Sequence, residues 1–206
     1  MQWKESGQKD FNIEPDIYDA ICTGMIDIGT QHGEWQGKEK VRRQCIIQWE
    51  LLDELYVDDE EQEHRKHFSQ FYTQSLDPRA KLRKHLTGWR GRDFNSEELQ
   101  GFDPKNILGK PCRLVISTNE SGKSIVESIM RYKGEGAEAE GSEQWFSFDE
   151  FEGAFPEWMS EGIRGLCEKS DEYQAYLGMD ADDIKETPHE EPMPAPEEED
   201  ETNIPF

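Results

Sequence analysis

Residues 77–94 read DPRAKLRKHLTGWRGRDF. Within them, residues 78–92 hold six Lys/Arg (Arg79, Lys81, Arg83, Lys84, Arg90, Arg92) and no Asp or Glu, in a chain of formal net charge −23. Basic side chains scattered through an acidic protein are neutralised by their neighbours, so a concentrated run points to an anionic partner. The same stretch has a local reading. Asp77 followed by Pro78 predicts an N-cap with proline at the first helical position. Leu82, Leu86 and Trp89 follow at i, i+4 and i+7 and form one apolar stripe. Gly88 predicts a left-handed stop. The expectation is a short helix that buries one face, shows a cationic one, and leads into a Trp-Arg-Gly-Arg loop.

Upstream of the helix, three stretches read as strands. Residues 17–28 alternate, with Tyr18, Ala20, Cys22, Gly24, Ile26 and Ile28 on one face. Residues 41–52 place Val41, Cys45, Ile47, Trp49 and Leu51 on one side and Arg42, Gln44, Gln48 and Glu50 on the other. Residues 68–76 give the third. A Gly-rich loop holding Trp35 joins the first two, and a charge-rich segment, 53–67, reads as a solvated hairpin tip or loop. Downstream, Asn95 with Glu98 three positions on approximates a capping box for a small helix. Residues 111–117 and 124–133 give the fourth and fifth strands around an NESGK turn; in the fifth, Ile125 and Ile129 oppose Val126, Met130 and Tyr132.

The order strand, strand, strand, helix, strand, strand is that of an OB-fold, a five-stranded Greek-key barrel with a helix between its third and fourth strands. A five-strand sandwich is the alternative, and the helix position and long first loop favour the barrel. The expected fold is therefore mainly β with short helices. It comprises an N-terminal arm (1–14), the barrel (15–135), an acidic flexible linker with a helical extension (136–178), and a disordered acidic tail (179–206). Low hydrophobic content, 33%, agrees with part of the chain lying outside a core. Residues 180–206 carry eleven acids against Lys185 alone, and prolines at 188, 192, 194 and 196 remove any helical period. In the extension, Trp158, Met159, Ile163, Leu166 and Leu177 are the side chains expected to dock on the domain.

Four cysteines, Cys22, Cys45, Cys112 and Cys167, lie too far apart for a CxxC knuckle, and three sit in apolar runs. Buried thiols are expected, with neither disulfides nor zinc. No signal peptide or membrane-length apolar run is read, so the expectation is a soluble protein of a reducing cytoplasm. The sequence Ser121-Gly122-Lys123-Ser124 imitates the end of a P-loop, but Ser117 stands where the pattern needs glycine, so a hairpin turn is expected. His64 and His67 flank Arg65-Lys66 in a charged segment and read as solvated rather than metal-ligating. No nucleophile–base pairing and no strand-end carboxylate–lysine set argues for an enzyme, and no cofactor is expected.

What remains suits a single-stranded nucleic acid. Aromatic faces stack on bases at roughly 1–3 kcal/mol each, and Lys/Arg beside them neutralise phosphates and release counterions. The candidate contacts are Trp35, Arg42, Arg43, Phe71, Tyr72, Trp89, Arg90, Arg92, Lys123, Arg131 and Tyr132. Of the aromatics, Trp35, Phe71, Tyr72 and Tyr132 are those expected at the surface, with one of the adjacent Phe71 and Tyr72 facing the groove. Trp49 reads as core, and for Trp89 packing competes with exposure. At the end of the helix stretch, Arg90 and Arg92 are the favoured phosphate contacts.

The stretches GMIDIGTQ, IIQWEL, FYTQSL, LTGWRGRDFNSEEL and LGKPCRLVI, covering most of residues 17–117, together resemble a family of bacteriophage single-stranded DNA-binding proteins; LxGWRGRxF is the most specific of them. The ending EEEDETNIPF is similar to the acidic tips of bacterial and phage proteins of that kind, in which a final hydrophobic residue docks on replication and repair partners. The resemblance implies an OB-fold, single-stranded DNA binding in phage replication or recombination, and a partner-recruiting tail in which Asp200, Glu201, Ile204, Pro205 and Phe206 are the contacts. Self-association into a homo-oligomer is left open, and no membrane partner is expected. Two readings from other classes compete: an acidic DNA mimic or adaptor that binds a host protein, and a recombination nuclease accessory.

Overall fold

A computed structural model describes residues 13–178 except 36 and 59, and for Trp35 the backbone alone. The tail candidates Asp200, Glu201, Ile204, Pro205 and Phe206 and most of the N-terminal arm lie outside the described residues. The elements are β1 (Asp16–Trp35), β2 (Lys38–Val57), β3 (Glu63–Thr73), α1 (Lys81–Arg90), β4 (Pro111–Thr118), β5 (Ser124–Arg131), β6 (Gln144–Phe146), α2 (Glu161–Glu168) and α3 (Asp171–Tyr176). Short 3-10 turns at Glu98–Gln100, Pro104–Ile107 and Phe148–Glu150 complete it. The first three strands outrun the alternating stretches because their polar ends pair with each other as ribbons, for example His32 with Val41 and Val57 with Glu63. Such ribbons satisfy backbone groups without a core on either face.

The sheet follows the path β3-β2-β1-β4-β5, antiparallel throughout, and β6 adds in parallel to β1. Its ends, β3 and β5, share no backbone ladder, so the sheet is open and the closed barrel expected from the element order is not formed by main-chain pairing. Side chains bridge the gap instead. Gln70 on β3 accepts from the amide of Val126 on β5 at 3.0 Å. Tyr72 on β3 meets His85 on α1 at 2.8 Å, and His85 reaches the carbonyl of Glu127 on β5 at 3.0 Å.

Two cores result, one on each face of β1 and β2. Inside lie Ala20, Cys22, Met25, Trp49, Leu51, Tyr72, Leu86, Trp89, Leu114 and Ile129. Outside, Ile26, Ile28 and Ile46 are covered by Phe146, Met159 and Cys167, with Phe71, Phe148, Phe151, Phe155, Ile163 and Leu166 packed around them. The single apolar face expected for β1 is thus split. A register shift between Cys22 and Gly24 turns Met25 inward with Cys22 and sends Ile26 outward. β5 behaves alike. Its bulge skips Glu127, so Val126 and Ile129 both face inward rather than opposing one another.

The helix departs from its sequence reading at both ends. α1 begins at Lys81, three residues after Pro78, with Ala80 as an N-cap that offers no side chain. Asp77 caps a preceding turn instead, accepting from the amide of Arg79 at 3.0 Å. Gly91, φ 70°, makes the left-handed stop. Gly88 serves a different end inside the helix, where a Cβ would run into the carbonyl oxygen of Ile129.

Residues 136–178 do not hang from the domain as an appendage. The segment expected as a flexible linker crosses β2 and β3: the amide of Glu140 donates to both carboxylate oxygens of buried Glu50, at 3.0 and 3.1 Å, and Arg65 donates to the carbonyl of Glu138. Burying one Phe contributes about 1.5–3 kcal/mol; Phe146 is buried and Phe148, Phe151 and Phe155 are partly buried around it, so residues 144–178 are part of the fold. Met159, Ile163 and Leu166 dock as expected, whereas Trp158 and Leu177 stay exposed.

Candidate nucleic-acid interface

The candidate residues separate into three groups. The first belongs to the core. Tyr72 is 1% exposed, edge-on to Trp49, with its hydroxyl on His85. Trp89 is 6% exposed and donates its indole N–H to the carbonyl of Pro111 at 2.9 Å. Neither offers a ring face to a base. Strand parity puts Phe71 on the opposite side from Tyr72, but there it packs beneath the C-terminal segment. The groove-facing position expected for one of the pair is therefore filled by the chain itself.

The second group is neutralised internally. Arg43 donates to Asp27 at 2.6 Å and to Asp149 at 3.2 Å, with Glu172 at 3.7 Å. The hydrogen bond to Asp27, with burial opposing, holds its guanidinium above its ordinary pKa. Glu172 also accepts from the amide and hydroxyl of Thr30, at 2.6 and 2.8 Å, so α3 is pinned across β1. Arg90 and Arg92 converge on Glu98. Arg92 donates to it at 2.7 and 2.9 Å, and Arg90, largely buried, adds a close ion pair while stacking 4.3 Å from the centre of Phe94. The hydrogen bond from Arg92 leads the causes that lower the Glu98 carboxyl to about 2. Asn95 completes the reciprocal capping pattern there, accepting from Glu98 N at 2.8 Å while Glu98 accepts from Asn95 N. In the rest of the basic run, Arg83 is bound to Asp93 and Arg79 to Asp77. Arg42 is half-buried on β2 opposite Gln31.

The third group is open. Lys123 lies exposed in the β4–β5 turn, and Arg131 lies exposed at the end of β5; neither forms an ion pair with another described residue. Arg131 runs beside the α1 exit loop, its Cδ within 3.7 Å of where a Cβ on Gly91 would stand. Pairing of Arg131 with Cys112 brings Lys110 and Lys133, each two residues further along, to the same end of the sheet. Both are exposed. Tyr132 is half-buried and folds its ring against Gly134. Lys110 and Lys133 were not singled out by the sequence; only the β4–β5 register unites them with Arg131.

The outer face of β1–β3, where OB-folds take oligonucleotides, is covered by residues 137–178. A cleft of about 440 Å³ remains at its margin, among Asp27, Arg43, Gln74, Lys105, Trp145 and Glu150. Lys105 lies 4.8 Å over the Trp145 ring and is bound to Glu150 at 2.6 Å. Asp27, Asp103, Asp149 and Glu150 outnumber Arg43 and Lys105 in the lining of the cleft, so it does not suit a phosphate.

No group of His, Cys, Asp and Glu among the described residues could hold a metal ion. His64 is bound to Asp58 at 2.8 Å. All four cysteines are buried and unpaired, and burial pushes the Cys22 and Cys167 thiols up to about 12. No helix among the described residues is long and apolar enough to cross a membrane. Comparisons with protein-family models, with curated proteins and with solved structures gave no match.

Proposed function

We propose that the chain is a non-enzymatic, sequence-tolerant single-stranded DNA-binding protein of phage replication or recombination, whose acidic tail recruits partner proteins. The observation that carries this reading is the cluster of Lys110, Arg131 and Lys133, joined by Arg92, at the end of β4 and β5, open to solvent on an otherwise acidic protein. The strand order, with α1 between β3 and β4 and side chains spanning the β3–β5 seam, is compatible with an OB-type barrel. Ion pairs do not remove Arg92 from consideration. It is 59% exposed, such exposed pairs are weak and screened by salt, and a phosphate that displaces the carboxylate also releases counterions.

A second reading, the acidic DNA mimic or adaptor, is favoured by one specific observation: Asp77, Asp93 and Glu98 neutralise Arg79, Arg83, Arg90 and Arg92, so the basic run shows less positive charge than its composition implies.

Titration of fluorescent oligo(dT) at two salt concentrations, with and without magnesium, separates them. Salt-sensitive binding without cleavage is expected. Reversing Lys110, Arg131 and Lys133 to Glu should weaken binding at least about 10-fold and flatten the salt slope by about 2, at roughly 0.7 per phosphate contact on single strands. Absence of binding by the unaltered chain leaves the mimic reading, and magnesium-dependent cleavage leaves the nuclease accessory. Binding that the triple variant does not change moves the site off this cluster.

A further inference from the structure

The outer face of β4, of β5 and of the first residues of β1, up to Asp19, is left open by residues 137–178, and its composition is unusual for this chain. Cross-strand pairs lay out its rows: Ile17 beside Val115 beside Ser128, Asp19 beside Arg113 beside Met130, and Ser117 beside Ile125. Ile17 is 53% exposed and Met130 38%. At the centre, Arg113 grips Asp19 through two hydrogen bonds, 2.7 and 3.2 Å. Those rows therefore hold one acid and one base, in a protein of net charge −23. Two copies of so acidic a chain repel one another over most of their surface. A face able to bring them together must be neutral, partly apolar and complementary to itself.

We propose that this face is the contact between two copies of the chain. A two-fold axis running along the strands, midway between β1 and β4, places Asp19 of each copy over Arg113 of the other. The same operation sets Ile17 over Val115 of the second copy, twice. Each Arg113 guanidinium then serves two carboxylates, and each Asp19 two guanidiniums, so the charge pattern fixes the alignment while the aliphatic side chains are removed from water. With the axis there, β5 of one copy lies over β2 of the other, so β1 and β4 carry the contact and the interface is small. The expected dissociation constant lies in the micromolar range, on the order of 1–100 µM. The proposal is independent of DNA binding.

The test is the solution mass of the full chain without DNA, by sedimentation equilibrium across that concentration range. A shift from one to two chain masses is expected. R113D places like charges at the centre of the contact and should leave a monomer, and D19R/R113D should restore the dimer. I17E changes an exposed side chain outside any ion pair and should also give a monomer with an unchanged melting temperature, which keeps the test valid if R113D fails to fold. A single chain mass for the unaltered protein throughout the range, or a dimer that survives I17E, overturns the proposal.

Discussion

The phenol of Tyr72 donates to Nδ1 of His85 at 2.8 Å, and Nε2 of the same ring donates to the Glu127 carbonyl at 3.0 Å. A carbonyl only accepts, so Nε2 carries the proton and Nδ1 receives that of Tyr72. The ring is thereby held as one neutral tautomer bridging β3, α1 and β5 at the place where the main-chain ladder is missing. Burial foremost, with the charge of Lys81 next, lowers its pKa to about 4.

This bridge gives the fold an acid sensitivity. In the unfolded chain His85 takes a proton near 6.5, and in the folded chain only near 4, so the unfolded state binds more protons between those values and stability falls as pH drops through them. The full difference approaches about 3 kcal/mol. Urea unfolding at pH 7 and pH 4.5 should show a loss that H85Q lacks; equal losses in both proteins would place the sensitivity elsewhere.

Gly88 makes an inverted case of a familiar substitution. Gly→Ala inside a helix ordinarily stabilises by about 1 kcal/mol. Here the added methyl meets the backbone oxygen of Ile129, which cannot swing aside. G88A should therefore destabilise, by roughly 1–3 kcal/mol as overpacking does. A rise in urea midpoint would show that α1 can move away from β5.

Strand order and the inward stripe of Leu82, Leu86 and Trp89 were legible because they rest on periodicity, which local sequence carries. What misled was parity. A period of two survives only until a bulge, and the shifts at Cys22/Gly24 and around Glu127 depend on partner strands that no window of sequence contains. Gly88 reads as the helix stop, but Gly91 makes it; what holds Gly88 inside the helix is the approach of Ile129, which no local window contains. How much of the basic run is already paired within the chain was hidden for the same reason. Asp93 and Glu98 lie just beyond the basic run, and only the fold turns them back onto Arg83, Arg90 and Arg92. A signal for the second core was present in the Phe residues at 146, 148, 151 and 155, but their spacings of two, three and four hold no single period through the run.

That second core yields a boundary expectation. A chain ending at residue 143 would expose Ile26, Ile28 and Ile46, each at most 2% exposed in the whole fold. Such a fragment should be insoluble or bind a hydrophobic dye strongly. F146A should cost about 3–5 kcal/mol in urea unfolding, the usual range for a buried Phe. A soluble fragment with an undiminished melting temperature would show that residues 144–178 are dispensable.

Glu98 offers the sharpest test of whether internal carboxylates restrain DNA binding. It holds Arg92 through two hydrogen bonds and pairs with Arg90, while also accepting from the amide of Asn95. E98Q keeps an oxygen for the Asn95 amide and removes the negative charge, so the capping turn should persist. Arg90 should stay where Phe94 stacks on it, whereas exposed Arg92 becomes available to a phosphate that no longer has to displace a carboxylate. Oligo(dT) affinity should rise by about 2–5-fold, since an exposed pair is weak, with little change in melting temperature. Acidification cannot imitate the substitution. With its carboxyl lowered to about 2, Glu98 remains ionised throughout the range in which the protein is folded enough to assay. Binding by E98Q equal to that of the unaltered chain would remove Arg92 from the interface and leave Lys110, Arg131 and Lys133 to account for the phosphate contacts alone.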